Sequence, residues 1–388
     1  MSTSFFKILS FLFLLFPLII GKAVFAGGHV DANNAEVYNS FISLATPNNS
    51  NAEPYIGVVT AGVSLPIAEK TANEIISHLQ NYGAEKVEWL PYHPDNGSTC
   101  MSTAWNENLE RMTGIFFNGG SPQDLIKCFR EDGKKSPALK IIEERYRKGD
   151  LAIYGSSAGS LIWQATPVIE MQDSWDALIK KPLYMKEGGL GLFDHGFLDV
   201  HFTQRGRHGS FTRLIYDLQN KKNGQIGFGV DENTAMVMQD NESFKVVGEG
   251  GVYIIDVSSA KKKSGQEKSK RWSVEDVRVF YLTEGDSFNF KTKHFKFAQG
   301  KVINKGIEKH AKMSKDIFVN EAFTKVTTDL FNSNLSESTY GLSSETKARY
   351  RLNFRKTSVS EGLIGEINGT VYQSYANLFM DIYCVKNC

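Results

Sequence analysis

Short runs of apolar residues alternate, over much of the chain, with longer segments in which apolar residues recur at helical spacing. Runs of about four to eight apolar residues are typical of buried strands, and the longer spacing is typical of helices with one buried face. The pattern predicts strands at 56–63, 86–92, 114–117, 151–154, 197–202 and 226–230. It predicts helices at 66–82, 104–112, 122–130 and 137–148, and another that ends near residue 220. Strands separated by helices indicate an α/β fold, in which a mostly parallel sheet has helices on both faces.

The rest of the chain has a different pattern. Residues 171–187 form a mixed insertion that is expected to be a lid or a wall of a site. Residues 246–297 are mostly β in pattern, and the lysine-rich stretch 261–271 within them is typical of a solvated loop. The α/β domain is therefore predicted to cover residues 55–299, and residues 300–388 are predicted to be a C-terminal extension rich in strands.

The first 26 residues are predicted to be a signal peptide. Lys7 gives a weakly basic start, Ile8–Ile20 is apolar apart from two residues, and Val24-Phe25-Ala26 has the small residues that a signal peptidase recognises. The mature chain would begin at Gly27, with residues 27–54 as a surface leader, and would be exported to the periplasm or the outside of the cell. An uncleaved membrane anchor is the alternative, but the apolar run is shorter than the roughly 20 residues of a span. No later stretch is apolar enough to cross a bilayer, so no membrane contact is expected after cleavage.

Charge and composition exclude one class of partner. The chain of 388 residues has 44 basic and 43 acidic residues, which leaves a formal charge of +1. Proteins that bind nucleic acid through the phosphate backbone carry a strongly basic face, and nothing in this balance predicts one. The hydrophobic content of 41% is typical of a folded globular protein.

The four cysteines are expected to form disulfides, because an exported chain meets an oxidising compartment. Cys100 with Cys128 and Cys384 with Cys388 are the favoured pairs, although four cysteines allow three pairings. None of them has a metal-ligand spacing such as C-x-x-C, so neither a metal nor another cofactor is expected.

The strand at 151–154 leads directly into Gly155-Ser156-Ser157-Ala158-Gly159 and then into an apolar segment that predicts a helix. This context is the one that the G-x-S-x-G motif requires of a nucleophile elbow, in which a serine lies on a sharp strand-to-helix turn. The turn would expose the Ser157 hydroxyl. It would also leave the Ala158 N–H, at the positive end of the helix, free to bind an oxyanion.

Three other strand ends carry chemically useful groups, and ligands bind beyond the carboxyl ends of parallel strands. Gly119-Gly120 opens a helix and offers backbone N–H groups, although an ordinary glycine turn explains it equally well. His201 follows alternating apolar residues and precedes Arg205 and Arg207, two cations suited to binding carboxylates. Glu232 follows the strand at 226–230, from which a carboxylate can reach a histidine on a neighbouring strand.

With these residues placed, the chain resembles the cyanophycinase and dipeptidase E family of serine peptidases. The cyanophycinase branch fits better, because of the His-Phe-x-Gln-Arg-Gly-Arg run that begins at His201. The resemblance implies a class I glutamine-amidotransferase-like (flavodoxin-like) sheet, with the serine at the elbow. Five blocks carry it, in the family's order: Phe116-Phe117-Asn118-Gly119-Gly120, Gly155-Ser156-Ser157-Ala158-Gly159, Gly189-Leu190-Gly191-Leu192, Asp199-Val200-His201-Phe202-Thr203-Gln204-Arg205-Gly206-Arg207 and Gly229-Val230-Asp231-Glu232-Asn233-Thr234-Ala235.

The resemblance also implies the role of each site residue. Ser157 would be the nucleophile, His201 the general base and Glu232 the residue that orients it, which agrees with the need of a serine for an imidazole and a carboxylate. The N–H groups of Gly120 and Ala158 would form the oxyanion hole. Arg205 and Arg207 would hold substrate carboxylates and Asp199 would face a guanidinium. The positions that match the family's substrate pocket are Gln123, Asp199, Arg205 and Arg207.

The family hydrolyses the peptide bond after aspartate, and cyanophycinases release β-Asp-Arg from a polymer with an aspartate backbone. The implied partner is therefore a peptide rich in aspartate, and a homodimer is left open. Val200 and Ser210 replace a glutamine and an arginine of cyanophycinases, and Gln123 is displaced by one position. These departures weaken the expected grip on a β-Asp-Arg unit. Cyanophycin and other aspartyl or isoaspartyl peptides both stay open as substrates.

Two other functions compete with a peptidase of this family. An α/β-hydrolase esterase also uses G-x-S-x-G, but its acid precedes its histidine, which would have to be His294 or His310 in charged surroundings. A secreted binding protein could keep the fold after losing activity. The presence of Ser157, His201 and Glu232 together argues against that loss.

Overall fold

The computed structural model describes residues 21–48, 52–96, 99–220, 224–264 and 271–388. The apolar run at 8–20, on which the predicted export signal rests, lies outside these residues. The strands are β1 (Lys22–Ala26), β2 (Tyr55–Val59), β3 (Lys86–Leu90), β4 (Gly114–Phe117), β5 (Arg130–Glu131), β6 (Lys134–Lys135), β7 (Ala152–Ser156), β8 (Val168–Ile169), β9 (Tyr184–Met185), β10 (Phe197–Val200), β11 (Ile226–Val230), β12 (Thr234–Met238), β13 (Ser243–Gly248), β14 (Gly251–Asp256), β15 (Val274–Thr283), β16 (Ser287–Asn289), β17 (Phe295–Lys296), β18 (Val302–Ile303), β19 (Ser338–Leu342), β20 (Arg349–Arg355), β21 (Glu361–Ile367) and β22 (Thr370–Lys386). The helices are α1 (Ala35–Ala45), α2 (Leu65–Asn81), α3 (Asn106–Arg111), α4 (Pro122–Phe129), α5 (Pro137–Lys148), α6 (Ala158–Leu161), α7 (Ser174–Ile179), α8 (His208–Leu218) and α9 (Ala322–Phe331), with a 3₁₀ turn at Thr99–Met101.

The first sheet has the strand order β17-β16-β13-β12-β1-β7-β4-β2-β3. The five strands from β1 to β3 in this order are parallel to one another, and β12 joins β1 antiparallel. Helices cover both faces. Apolar residues of α1 and α2 pack on one face, and those of α3, α4 and α5 pack on the other. The predicted α/β fold, with a mostly parallel sheet between helices, is confirmed for this part of the chain.

Two helices that border the sheet begin at serines, as their sequences favour. The Ser121 hydroxyl accepts a hydrogen bond from the Asp124 N–H at the start of α4, and Ser136 caps α5 through the Leu139 N–H. A proline at the first position of each helix costs no hydrogen bond there. The Ser121 cap fixes the start of α4, which lies beside the Gly119-Gly120 turn.

A second sheet has the order β10-β11-β14-β15-β22-β20-β19, with β21 pairing to β22. Only β10 and β11 are parallel among these pairs, and the others are antiparallel. The strands predicted at 197–202 and 226–230 therefore belong to this sheet rather than to the sheet of the elbow. Residues 300–388 are rich in strands as predicted, but β22 pairs with β15, so the predicted boundary at 299/300 divides one continuous sheet.

The predicted cleavage after Ala26 is wrong for this fold. β1 lies between β7 and β12, and its residues from Ala23 to Ala26 are no more than 1% exposed. The described part of the predicted surface leader 27–54 includes α1, which buries Val37 and Phe41 against the sheet. An apolar strand at the centre of a sheet and the end of a signal sequence have the same composition. The pairing partners, more than a hundred residues away, distinguish the two.

Both predicted disulfides are present. Cys100 pairs with Cys128 across 4.9 Å between Cα atoms, and Cys384 pairs with Cys388 across 5.7 Å. The first attaches the 3₁₀ turn to α4, and the second closes a short loop at the end of β22. Among the helices in the described part of the chain, none is long and apolar enough to span a membrane.

Candidate active site

Ser157 lies on the turn between β7 and α6, with φ 55° and ψ −122°. This backbone conformation is uncommon for a residue with a side chain and is typical of a nucleophile elbow. The two glycines of the motif are sterically required. A Cβ at Gly155 would lie 2.4 Å from the Gly159 carbonyl oxygen, and one at Gly159 would lie 2.2 Å from that of Phe117. The turn can form only because both positions lack a side chain.

The serine, a histidine and a carboxylate form one hydrogen-bonded row. Ser157 Oγ lies 2.6 Å from His201 Nε2, and His201 Nδ1 lies 2.6 Å from Glu232 Oε1. His201 directly follows β10 and Glu232 follows β11, whose parallel pairing places their carboxyl ends side by side. The row therefore joins the two sheets, with the hydroxyl from the first and the other two groups from the second.

Burial governs the electrostatics of this row. The His201 side chain is 3% exposed, and burial lowers its pKa to about 4, although the hydrogen bond to Glu232 acts in the opposite direction. The Arg205 cation lowers the pKa further. The imidazole is therefore neutral near pH 7 and can accept a proton from the serine hydroxyl.

A cavity of about 370 Å³ opens over the serine and is lined by Gly120 and Ala158 among other residues. Gly120 has φ 121°, and a Cβ there would lie 2.0 Å from the Gly62 carbonyl oxygen, so glycine is required. Within the described residues, neither the Gly120 nor the Ala158 N–H donates to another backbone group. The two residues predicted to supply the oxyanion donors therefore both line the cavity.

The predicted substrate-binding residues line the same cavity, but two of them bind each other. Arg207 Nε donates to Asp199 Oδ2 at 3.0 Å and its Nη2 donates to Oδ1 at 3.1 Å, while Nη1 donates to the Glu170 carbonyl. The guanidinium that Asp199 faces is therefore that of Arg207, rather than one of a substrate. Arg205 is exposed, with Nη1 3.4 Å from the Met171 sulfur. Gln123 is exposed at the start of α4.

The sequence model of peptidase family S51 matches residues 59–246, a range that contains the whole row. The chain is similar to this family over just under half of its length. It is similar to the cyanophycinase of Trichormus variabilis, with 26% identity over 268 residues that cover 69% of this chain and 84% of the relative. The cyanophycinase of Geminocystis herdmanii is 27% identical over 190 residues, 48% of this chain and 66% of that protein. A crystal structure of a peptidase from an acI-B1 Actinobacterium has a TM-score of 0.49 and 18% identity, covering 70% of this chain and 98% of the other.

The departures from the cyanophycinase pattern lie in different surroundings. Val200 lines the cavity, so an apolar group stands where the resemblance predicts an amide. Ser210 is fully buried in α8, where its hydroxyl donates to the Arg207 carbonyl at 2.9 Å. Val200 therefore changes the surface that a substrate would meet. Ser210 does not line the cavity.

Sequence reasoning missed three groups that support the row of Ser157, His201 and Glu232. The Gln204 side chain accepts a hydrogen bond from the Glu232 N–H at 3.0 Å. Asp231 accepts hydrogen bonds from the N–H and hydroxyl of Thr203, and burial raises the pKa of its carboxyl to about 7. His29, in the segment assigned to the leader, lies against Glu232. The sequence does contain a signal for His29. An apolar run ends in Gly27-Gly28 as the run at Phe116–Phe117 ends near Gly119-Gly120, which indicates another strand end at the site.

Proposed function

We propose that this chain is an exported serine peptidase that hydrolyses the peptide bond after aspartate, in cyanophycin or in other aspartyl and isoaspartyl peptides. The observation that carries the proposal is the row of Ser157, His201 and Glu232, with two contacts of 2.6 Å. The order of hydroxyl, imidazole and carboxylate in this row is that of a catalytic triad. Cyanophycinases among the relatives favour a peptide polymer as one substrate.

The proposed reaction begins when Ser157 Oγ attacks the carbonyl carbon of the scissile bond. His201 Nε2 accepts the hydroxyl proton, and Glu232 stabilises the imidazolium that forms. The Gly120 and Ala158 N–H groups donate to the oxyanion. The protonated His201 then donates to the leaving amine, which departs as the acyl-enzyme forms. Water, activated by His201, hydrolyses the ester and restores the serine.

Selection for aspartate is assigned to Arg205. Its guanidinium is exposed at the cavity, whereas that of Arg207 is occupied by Asp199 and Glu170. An exposed arginine can bind a carboxylate in a bidentate geometry. A larger groove of about 950 Å³ shares Met171, Arg205 and Arg207 with the cavity, and the remainder of a peptide would lie there.

The experiment is a comparison of matched peptides. The purified protein is incubated with cyanophycin and with Asp-X, isoaspartyl-X and Asn-X peptides of otherwise identical sequence, and the products are identified by mass. Cleavage after aspartate and not after the isosteric asparagine is expected, and Arg205→Ala should reduce that preference by about 10-fold to 100-fold. Equal cleavage of Asp-X and Asn-X, or hydrolysis of simple esters alone, would overturn the proposed specificity.

Export is proposed from the apolar run at 8–20. Cell fractionation of the full chain should find the protein outside the cytoplasm, and amino-terminal sequencing should find a processed end before Lys22. A cytoplasmic protein that keeps its first 20 residues would refute export without affecting the proposed chemistry.

A further inference from the structure

His29 lies directly beside the proposed catalytic row although the proposed reaction does not use it. Its Nδ1 is 3.7 Å from Glu232 Oε2, and its ring centroid is 5.2 Å from that of His201 at an interplanar angle of 89°. The His29 side chain is 70% exposed and that of Glu232 is 24% exposed. Glu232 therefore uses one oxygen on His201 and presents the other to a second imidazole at the edge of the site.

The position of His29 is determined by the backbone around it. The Gly27 carbonyl accepts from the His201 N–H at 2.9 Å, and the Gly28 carbonyl accepts from the Asn233 N–H at 3.0 Å. Gly28 has φ 102°, and a Cβ there would lie 2.3 Å from His201 Cε1. The turn is thus attached on both sides to the segments that carry His201 and Glu232. This attachment holds the His29 ring close to both.

The three side chains have the donor set of a transition-metal site. One ligand atom from each of His29, His201 and Glu232 can be chosen so that all lie within 4.8 Å of one another. Two ligands of a tetrahedral Zn²⁺, at about 2.0–2.2 Å from the ion, are roughly 3.3–3.6 Å apart. The 3.7 Å between His29 Nδ1 and Glu232 Oε2 is too long for a hydrogen bond but close to that spacing. Imidazole nitrogens with a carboxylate favour Zn²⁺, Cu²⁺ or Ni²⁺ over Mg²⁺ and Ca²⁺.

We propose that His29, Glu232 and His201 form an inhibitory site for Zn²⁺ at the edge of the active site. Zn²⁺ bound to either nitrogen of His201 breaks one contact of the row, because Nδ1 contacts Glu232 and Nε2 contacts Ser157. Even when it is bound by His29 and Glu232 alone, its charge opposes formation of the imidazolium that the reaction requires. The binding depends only on the geometry, whereas the inhibition rests on the proposed peptidase function.

Zn²⁺ binding is measured first, by isothermal titration of the untagged full chain with ZnCl₂. The test variant is His29→Asn, because asparagine tolerates the positive φ of 45° at this position. The matched control is His294→Asn, which removes an exposed histidine elsewhere. One ion per chain is expected, with affinity reduced by about 10-fold or more in His29→Asn and unchanged in His294→Asn. Equal Zn²⁺ affinity in the wild type and His29→Asn would overturn the site.

The inhibition is measured second, on a peptide that the protein hydrolyses, with each variant compared with its own metal-free rate. Zn²⁺ should inhibit the wild type reversibly, EDTA should restore the rate, and Mg²⁺ should have no effect at the same concentration. Zn²⁺ that binds through His29 while hydrolysis continues unchanged would overturn the inhibitory role. Binding that depends on His29 in a protein without peptidase activity would keep the site and overturn the proposed function instead.

Discussion

The main-chain N–H of Ser157 donates a hydrogen bond of 3.1 Å to the carbonyl oxygen of Ala26, the last residue of β1. The hydroxyl of Ser160 donates to the same oxygen at 2.7 Å. The strand that sequence patterns assign to a signal peptide therefore supports the elbow directly. The first strand of the fold and the reactive serine form one structural unit.

This unit predicts different outcomes for two truncated chains. A chain that starts at Gly21 should fold, whereas one that starts at Gly27 should not, because it loses four residues that are almost completely buried between β7 and β12. Loss of Phe25 burial alone costs about 3–5 kcal/mol. Circular dichroism and thermal unfolding of both chains check this expectation. A cooperative unfolding transition in the shorter chain would show that β1 is dispensable.

Replacement of the proposed nucleophile should separate activity from stability. Ser157→Ala should reduce peptide hydrolysis by about 10⁶-fold, as removal of a triad nucleophile does. The thermal midpoint should change little, because alanine meets the same backbone conformation and loses one hydrogen bond. Steady-state rates and thermal unfolding of the same preparation are the measurements. Retained hydrolysis would refute the assignment of Ser157.

The Glu232 carboxylate should affect the rate of hydrolysis rather than substrate binding. Glu232→Gln should reduce kcat by about 10⁴-fold with little change in KM, because an amide cannot stabilise the imidazolium and can favour the wrong tautomer. Glu74→Gln, on the exposed face of α2, is a control that should leave both constants unchanged. A change confined to KM would contradict an orienting role.

The pH dependence follows from the buried imidazole. Burial lowers the pKa of His201 to about 4, so its neutral, basic form persists at pH values where an exposed histidine is protonated. The acid limb of kcat/KM should therefore fall near pH 4 rather than near pH 6.5. Because the folded pKa is below the unfolded one, His201 also reduces stability as the pH falls from about 6.5 to 4.

Replacement of Arg205 tests whether nearby charge contributes to the low pKa of His201. Its cation contributes to the low pKa of His201, so Arg205→Met should shift the acid limb to higher pH. The pH profiles of wild type and variant on a neutral substrate measure the shift, without involving a carboxylate clamp. A shift to lower pH, or an acid limb near 6.5 in the wild type, would contradict the assigned electrostatics.

A buried ion pair joins the C-terminal strand to the first sheet. Lys301 Nζ lies 2.7 Å from Asp286 Oδ1 with both side chains fully buried, and it also donates to Ser374 in β22 at 3.0 Å. Lys301→Met should destabilise the fold by about 3–5 kcal/mol, because it leaves a buried carboxylate without its cation. Chemical denaturation measures the loss, and Lys186→Met on the surface is the control. A neutral effect on the free energy of unfolding would contradict a stabilising role for this ion pair.

The sequence predicts the elbow well because its signals are local. Gly155, Ser157 and Gly159 lie within one short motif, and the steric need for both glycines arises within one turn. The strand and helix bounds around the elbow agree with the prediction to within a few residues. The resemblance to a known family, carried by five sequence blocks, indicates which histidine and carboxylate approach the serine.

Long-range pairing could not be predicted in the same way. β1 has the composition of a signal sequence, and only its partners β7 and β12 identify it as a strand. The apolar pattern of β10 and β11 predicts burial but does not state which sheet they join. The pairing of Asp199 with Arg207, across a turn, is likewise invisible to a spacing argument that assigns each a role toward substrate.

The division of the row between two sheets has a consequence for the folding of the chain. The hydroxyl is attached to one sheet and the base with its carboxylate to the other, and the second sheet is completed by β22, near residue 386. A folding intermediate with only one sheet formed would have the Ser157 hydroxyl without its aligned imidazole and carboxylate. The proposed hydrolysis can therefore begin only after both sheets have assembled.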